Sequence, residues 1–538
     1  MKDAHTREQH GRIAENQSEP GEVPFDPEFR ENSAAIDWKL LSSSIVFALC
    51  IAPTLVSYVP YFFKWDDSEY LWRSINVSRA FWSGHRHELI NAFVSIRPPI
   101  MTLLGLPWGP LWSWDAAGKC FITLTTIMAA LVACCLFLLL RIGLKPLYLA
   151  IASACVFAAL GPYPSGAHAH LSATGFLVDS LFAWNAFAAM LLIPYEAATR
   201  SSSTRADLVR GVLWGLIFSL GAMTKVSFLY FILLILPILF VVRMRHSGRR
   251  SALTTLTTLG LCLSPVGIYW LRYGLPALKN GWAASFGHDA PFYHIPFSQF
   301  VSEIVRESPG MLLPVIFVIA GIVYLVVNRG EIAWGTKILP VLITVGFCTI
   351  SLASSNRQLR YSFVGIIALP FLMAILLSGR ARGAARRPAM FAAILAFCYI
   401  VAAGVPLLHR PARESIARSE AALAEAARVN AKRVLVATDS STLNGNLMLV
   451  AIVLSPSRPE IETATLGWHA VAGLPIEDDF RVIRDSDLVI FQNKEALDVP
   501  FMNQRISEYE QYIRENFGDV PIKIADDFRI YRVCHNSH

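Results

Sequence analysis

Charge is scarce in this sequence: 16% of its 538 residues are Asp, Glu, Lys or Arg, where soluble domains carry about 25%. That scarcity excludes an ordinary soluble fold for most of the chain. Also missing is an N-terminal apolar core with a small-residue cleavage site. Met1 to Asn32, polar and rich in Glu, Arg and His, therefore reads as a disordered cytoplasmic tail, running to residue 38. The nine cysteines lack metal-ligand spacing and imply no disulfide framework. Cys134, Cys135, Cys155, Cys262, Cys348 and Cys398 lie inside apolar runs and read as packing residues. No Gly-rich phosphate loop follows either of the clearest strand segments, which argues against nucleotide binding. The formal net charge of +7 does not call for a nucleic-acid partner, because a basic excess in a membrane chain gathers in cytoplasmic loops.

What is abundant is apolar sequence. A bilayer core is spanned by about 20 apolar residues, and runs of that kind recur from Ile45 to Cys398 and then stop. About eleven spans are expected, near 40–62, 118–140, 146–163, 175–194, 208–224, 226–243, 253–271, 310–328, 336–353, 361–379 and 389–408. Alternate loops hold Arg141/Lys145, Arg200/Arg205/Arg210, Arg243/Arg245/Arg249/Arg250, Arg329/Lys337 and Arg380/Arg382/Arg386/Arg387. The positive-inside rule makes those loops cytoplasmic. An odd number of spans then puts the C-terminal part on the opposite, extracytoplasmic side.

The expected fold class is thus an α-helical polytopic membrane protein, 39–408, followed by a soluble α/β domain, 409–538. The tail opens on an Ala/Glu/Arg-rich helix, Arg413 to Arg428. Strands follow at KRVLVATD, DLVIFQN and FRIYRV, with helical stretches from Asn444 to Leu454 and from Met502 to Phe517. Asp439, Asp478 and Asp479 read as turn and cap residues. Two extracytoplasmic loops are long, Lys64 to Ala117 and Arg272 to Pro309. Within the first, Pro98 to Trp114 is apolar but broken by four prolines, and reads as an interfacial helix.

Five places could carry chemistry. Asp66 and Asp67 follow directly on the first span. Adjacent carboxylates at a membrane surface cost desolvation unless they face water, a cation or a reacting group. They read either as a solvated acidic loop start or as a general base with a neighbour that fixes geometry or a divalent metal. Arg97, before Pro98 and Pro99, could hold a phosphate or carboxylate, or simply snorkel. Asp179 heads an apolar run near His168 and His170, an expensive position for an ionisable group; the two histidines are either solvated or ligands. Lys225, in GLIFSLGAMTKVSF, has no acidic neighbour in sequence and suits a phosphate as a compact charge. Arg357, Arg360 and Tyr361 lie in a short outer loop where positive charge is unexpected, which invites an anionic ligand.

In order along the chain, these motifs resemble the integral-membrane C-type glycosyltransferases (GT-C), in particular the protein-mannosyltransferase and lipid A aminoarabinose-transferase group. The resemblance rests on Asp66-Asp67 after the first helix, Arg97-Pro98-Pro99, Asp179 at the head of a span, the stretch ending in Lys225, and Arg360-Tyr361 before an apolar run to Pro370. It implies a multi-pass transferase of the bacterial inner membrane, with cytoplasmic N-terminus and periplasmic C-terminal domain. Its donor would be a polyprenyl-phosphate-linked sugar; its acceptor would be an envelope glycan, lipid or protein. Asp66 would be the catalytic base, supported by Asp67, with Lys225, Arg360 and Tyr361 near the lipid phosphate and inversion at the sugar carbon. No organic cofactor is implied. A divalent metal at Asp67 stays open, because the class contains metal-using and metal-free members. Such a donor fits the bilayer: each buried methylene of its chain favours the membrane by about 0.8 kcal/mol. A transporter or flippase of lipid-linked sugars would instead show repeated halves and ionisable groups near mid-membrane, and a related ligase would depend on the loop arginines and not on Asp66.

Overall fold

The computed structural model describes residues 37–55, 65–85, 87, 97–160, 178–199, 203–288, 290, 294–307, 309–327, 335–355, 357, 362–378, 386–408, 413–437, 443–456, 460–467, 474–492, 504–525 and 528–533. Most of the expected N-terminal tail, and His168, His170, Arg360, Tyr361 and Asp439, lie outside these residues.

A helix occupies part of each of the eleven expected apolar segments. In chain order the helices of the apolar region are α1 (Trp38–Leu55), α2 (Trp65–Trp82), α3 (Ile100–Leu103), α4 (Trp114–Ile142), α5 (Pro146–Leu160), α6 (Val178–Ala198), α7 (Thr204–Thr224), α8 (Leu229–Phe286), α9 (Phe297–Glu307), α10 (Leu312–Val327), α11 (Gly335–Ala353), α12 (Phe363–Leu377) and α13 (Arg386–Leu408). Among the described residues, five helical stretches are long and apolar enough to cross a membrane. Shorter apolar helices stand at α1, α5, α10 and α12. The chain is a multi-pass membrane protein. Its helix α6 is buried almost all round, as a helix enclosed by other helices should be.

Helix α8 is two arms, 229–247 and 249–286, broken at Gly248 with φ 83° and ψ 166°. That left-handed φ suits glycine, and it lets the chain double back beside α7. Ser251 and Thr255 reach Asp207 near the start of α7, while the Trp270 indole donates to Ala222 O near its end (3.2 Å). The second arm has 38 residues and is about 57 Å long at 1.5 Å per residue. It therefore outruns a hydrocarbon core of about 30 Å.

The structure corrects three expectations here. The stretch from Arg272 is not a loop until Phe286, because the second arm continues through it. Asp66 and Asp67 do not start a loop: their backbone lies in the first turn of α2, an 18-residue helix, where the helix dipole favours negative charge. Pro98 to Trp114 is no single interfacial helix but the short α3, a 3₁₀ turn Leu106–Trp108, and extended chain. Its prolines remove the amide donors that a continuous helix needs.

The tail contains α14 (Arg413–Arg428), β1 (Arg433–Val436), α15 (Gly445–Leu454), β2 (Glu462–Thr465), α16 (Ile476–Arg484), β3 (Leu488–Gln492), α17 (Ile506–Phe517), β4 (Lys523–Ala525) and β5 (Phe528–Arg532). The three expected strands are β1, β3 and β5; β2 and β4 are short additions at the two edges. The sheet order is β2-β1-β3-β5-β4. β1 pairs parallel with β2 and β3, whereas β5 pairs antiparallel with β3 and β4. α15 is apolar on every side and is buried on two. Met448, Ala451 and Ile452 pack into the sheet core with Val434 and Ile490. Leu447, Val450 and Leu454 join the core of the membrane region.

Asp479 is not a solvated cap residue. It is buried in α16, where it accepts from Tyr509 Oη (2.6 Å) and Arg505 Nη1 (3.0 Å). Asp478 beside it pairs with the exposed Arg481. The described cysteines are unbridged.

Candidate functional site

Lys225 and Asp179 stand 46 residues apart and form an ion pair. Each is placed by a helix end. Asp179 lies in the first turn of α6, where its charge faces the positive end of the helix dipole. Lys225 is the C-cap of α7, with extended backbone (φ −151°, ψ 142°). The chain then makes a 3₁₀ turn, Val226–Phe228, before α8. Gly221 makes this geometry fit. A Cβ there would come within 2.2 Å of the Phe228 ring and 2.3 Å of Asn185 Nδ2. With glycine in place, Asn185 Nδ2 donates to Ile217 O across the α6/α7 contact (2.8 Å), and the ends of the two helices meet. The Asp179 side chain is 5% exposed and that of Lys225 is 25% exposed, so part of the lysine reaches the surface while its carboxylate partner is enclosed. Lys225 also sits 5.6 Å from the Phe182 ring centroid.

The second cluster is on α2, one turn beyond the acid pair. Glu69 accepts from Arg73 Nε on its own helix (3.0 Å) and forms an ion pair with Arg97 (Nη1 to Oε2, 3.0 Å). The Arg97 guanidinium also lies 5.5 Å from the Tyr70 ring centroid. Arg97 does bind a carboxylate, as the sequence suggested it could, but that carboxylate is Glu69 of the same chain. Lower on α2, Ser74 and Ser78 fix the α3 segment. Gly105 N donates to Ser74 Oγ (2.7 Å), and Ser78 Oγ donates to Gly105 O (3.2 Å). α3 in turn packs on α7, the helix that ends in Lys225.

Arg357 ties down the loop after α11. Its Nε donates to Leu352 O (2.7 Å) and its Nη1 to Ile295 O (2.8 Å). Ser355 N donates to Ser285 O (3.0 Å), and Ile295 N to Ser355 O (3.1 Å). The loop after α11 is thereby tied to the end of the second α8 arm.

A third cluster was not read from the sequence. At the other ends of α6 and α7, Glu196 accepts from Arg210 Nη1 (3.0 Å), Arg243 Nη1 (3.3 Å) and the Trp214 indole (3.3 Å). Arg243 also pairs with Asp207, which accepts from Ser251 Oγ (2.8 Å). Arg210 and Arg243 were expected in cytoplasmic loops; both are buried inside the helix bundle. Two acids and two arginines close on one another there. The available signal was Glu196, placed at the end of an apolar run and needing a cation.

Among the described residues, no three His, Cys, Asp or Glu side chains gather as a metal site. Asp66 and Asp67 are described by their backbone, and the two histidines lie outside the set.

No protein-family model matches the sequence, and no curated protein matches it. Solved structures resemble it in fold, among them these two. ArnT from Cupriavidus metallidurans, solved bound to undecaprenyl phosphate, superposes over 93% of this chain and 98% of its own, with TM-score 0.52 and 9% identity. The apo oligosaccharyltransferase of Archaeoglobus fulgidus covers 89% of this chain and 71% of its own at 12% identity, with a TM-score of 0.44, too loose a likeness to build on. The chain has the GT-C fold over nearly its whole length.

Proposed function

We propose that this protein is a polyprenyl-phosphate-dependent glycosyltransferase working at the periplasmic face of the bacterial inner membrane. The observation that carries the reading is the Lys225–Asp179 pair. A buried carboxylate holds a part-exposed ammonium where two apolar helices end, a suitable place to meet a lipid-borne phosphate. The fold shared with ArnT, itself solved with undecaprenyl phosphate, supports it.

In this reading Asp66 removes the proton from the acceptor hydroxyl or amine. The acceptor atom bonds to the sugar C1, the C1–O bond to phosphate breaks with inversion, and polyprenyl phosphate leaves. Lys225, joined by Arg360 and Tyr361, stabilises the charge that grows on the leaving phosphate, which lowers the barrier more than it tightens ground-state binding. Asp179 holds the Lys225 ammonium in place. Asp67 supports Asp66 or holds a divalent metal, and Arg357 holds the loop that leads to Arg360 and Tyr361. Arg97, through Glu69, steadies the helix that bears the acid pair. His168 and His170 would face the same compartment as Asp179. The tail domain is periplasmic, and the buried arginine network lies at the cytoplasmic end.

The test is sugar transfer in membranes from a polyprenyl-phosphate sugar donor to envelope acceptors. Asp66→Asn should abolish turnover while the protein stays at its normal level. Undiminished transfer by that variant would remove Asp66 from the role of base. Glycolipid and envelope-polymer profiles of a deletion strain would identify sugar and acceptor.

A further inference from the structure

Arg79 joins three parts of the molecule. It lies near the end of α2, and its Nε donates to Leu111 O (2.5 Å) while its Nη1 donates to Val453 O (2.6 Å). Its guanidinium stacks 4.1 Å from the Trp112 ring centroid. Leu111 and Trp112 belong to the segment between α3 and α4; Val453 belongs to α15 of the tail. Charged hydrogen bonds to main-chain carbonyls, half withdrawn from water, are among the stronger polar contacts a side chain makes. The apolar contact runs the same way. Leu447, Val450 and Leu454 of α15 share one buried core with Leu71 and Ile75 of α2.

We infer that the tail domain is a working part of the transfer site: α15, through Arg79 and its apolar face, sets the position of the helix that carries Asp66 and Asp67. The inference rests on the transferase reading above. α2 is gripped at two points. Near the acid pair, Arg97 holds Glu69. At the far end, Arg79 holds the tail. Asp66 and Arg79 are thirteen residue steps apart on one continuous helix, about 20 Å at 1.5 Å per residue. A tilt of about 3° over that lever moves the acid pair by about 1 Å, and a displacement of that size can cost a transfer reaction on the order of 10²-fold in rate. Arg79 is thus a positioning residue, distant from the reacting atoms. α15 is buried on both sides because it mediates between the sheet and α2.

The experiment measures kcat, donor KM and the pH profile of kcat for Arg79→Leu, Arg79→Lys and Val450→Ala in the full chain in native membranes. The exposed pair Arg433–Glu462 supplies a control in Arg433→Gln, which should run as wild type. Arg79→Leu should lower kcat by on the order of 10²-fold with donor KM within about twofold, the pattern of a lost transition-state interaction. The acid limb of its kcat profile should also move, because the base has a changed setting. Arg79→Lys should recover part of kcat, since an ammonium can reach one carbonyl and keep the Trp112 face. Val450→Ala, a milder change made on the tail side alone, should lower kcat in the same way. It keeps the test decisive if Arg79→Leu fails to accumulate. Wild-type kcat in Arg79→Leu and Val450→Ala would overturn the inference, as would a rise in KM at unchanged kcat. If Asp66→Asn is silent as well, the transferase reading has failed; if Asp66→Asn is dead while these variants are normal, only the role of the tail has.

Discussion

Helices α6, α7 and α8 carry ion pairs at both ends of the bundle, and the two ends are built differently. At the end with Glu196, two acids meet two arginines, an indole and a serine, and the charged side chains are between 0% and 9% exposed. At the end with Lys225, the ammonium meets a buried carboxylate, and the lysine side chain is 25% exposed. The closed end pairs its acids and arginines with one another out of reach of a ligand, leaving only the Arg243 Nε without a partner among its described side chains. The open end keeps a cation fixed from behind and accessible from in front. One arrangement ties the helix ends together; the other suits a visiting anion.

Variants should separate the two ends. The largest effect is expected at the closed end. Arg243→Met removes one arginine and leaves Glu196 and Asp207 short of a partner inside the bundle. Breaking a buried network in that way costs about 3–5 kcal/mol, so the protein should fall sharply in membrane abundance and melting temperature. Replacing all four groups together, as Glu196→Leu, Asp207→Leu, Arg210→Met and Arg243→Met, should recover much of that loss, because apolar side chains of similar volume avoid the unpaired charge. Failure of the fourfold variant to recover would mean that the network does more than hold helices.

Lys225→Gln comes next and should behave differently. Abundance and melting temperature should fall less than in Arg243→Met, because the Gln amide can still donate to the buried Asp179 carboxylate, while transfer from the lipid-linked donor drops on the order of 10²-fold, the usual loss when one charge-stabilising donor is removed. Equal losses of stability at Lys225 and Arg243 would erase the distinction drawn between the ends.

Much of the fold was legible before the structure. The apolar runs and their basic flanks marked α4 to α8 and α10 to α13, because hydropathy depends only on local composition, whereas the amphipathic α9 fell within what read as a loop. The strands β1, β3 and β5 were visible in their β-branched and aromatic residues, whereas β2, with sequence ETAT, and β4, with three residues, carry too little signal. Pairing was much less legible. Lys225 has no acidic neighbour in sequence, and its partner Asp179 becomes a neighbour only when Gly221 lets α7 close on α6. Arg210 and Arg243 were counted as loop charges, since the positive-inside rule weighs charges without asking what they touch. Asp479 was read as a cap, although its place between Arg481 and the apolar face of α16 left burial equally open. In α15 the signal was present: ten residues with no polar face can be satisfied only by burial on two sides, and the second side is the membrane region.

Within the tail the same contrast recurs on a smaller scale. Asp479, 1% exposed, is shared by Arg505 and Tyr509, and burial together with that hydrogen bond pushes the Tyr509 phenol up. Asp479→Asn weakens a charge-assisted bond in a closed site and should lower tail stability by about 1–3 kcal/mol, read as earlier proteolysis of the tail or a lower melting temperature.

The smallest effect is expected at Glu425, where Arg428 donates two bonds (3.0 and 2.5 Å) from a largely exposed side chain. That hydrogen bond, foremost, holds the Glu425 carboxyl below the usual carboxylate range. A carboxylate depressed in the folded state contributes stability above its unfolded pKa, and the contribution fades as pH falls through the folded value. The loss therefore belongs to the acid side, beginning near pH 4.3, the ordinary glutamate value, and continuing below it. Glu425→Gln should melt slightly earlier than wild type at neutral pH and converge with it in acid. Solvent screening of the exposed arginine keeps the gap small. If the two proteins diverged further as pH fell, the bond would be stabilising the protonated form, and the open pair would have to be reclassified with the closed ones.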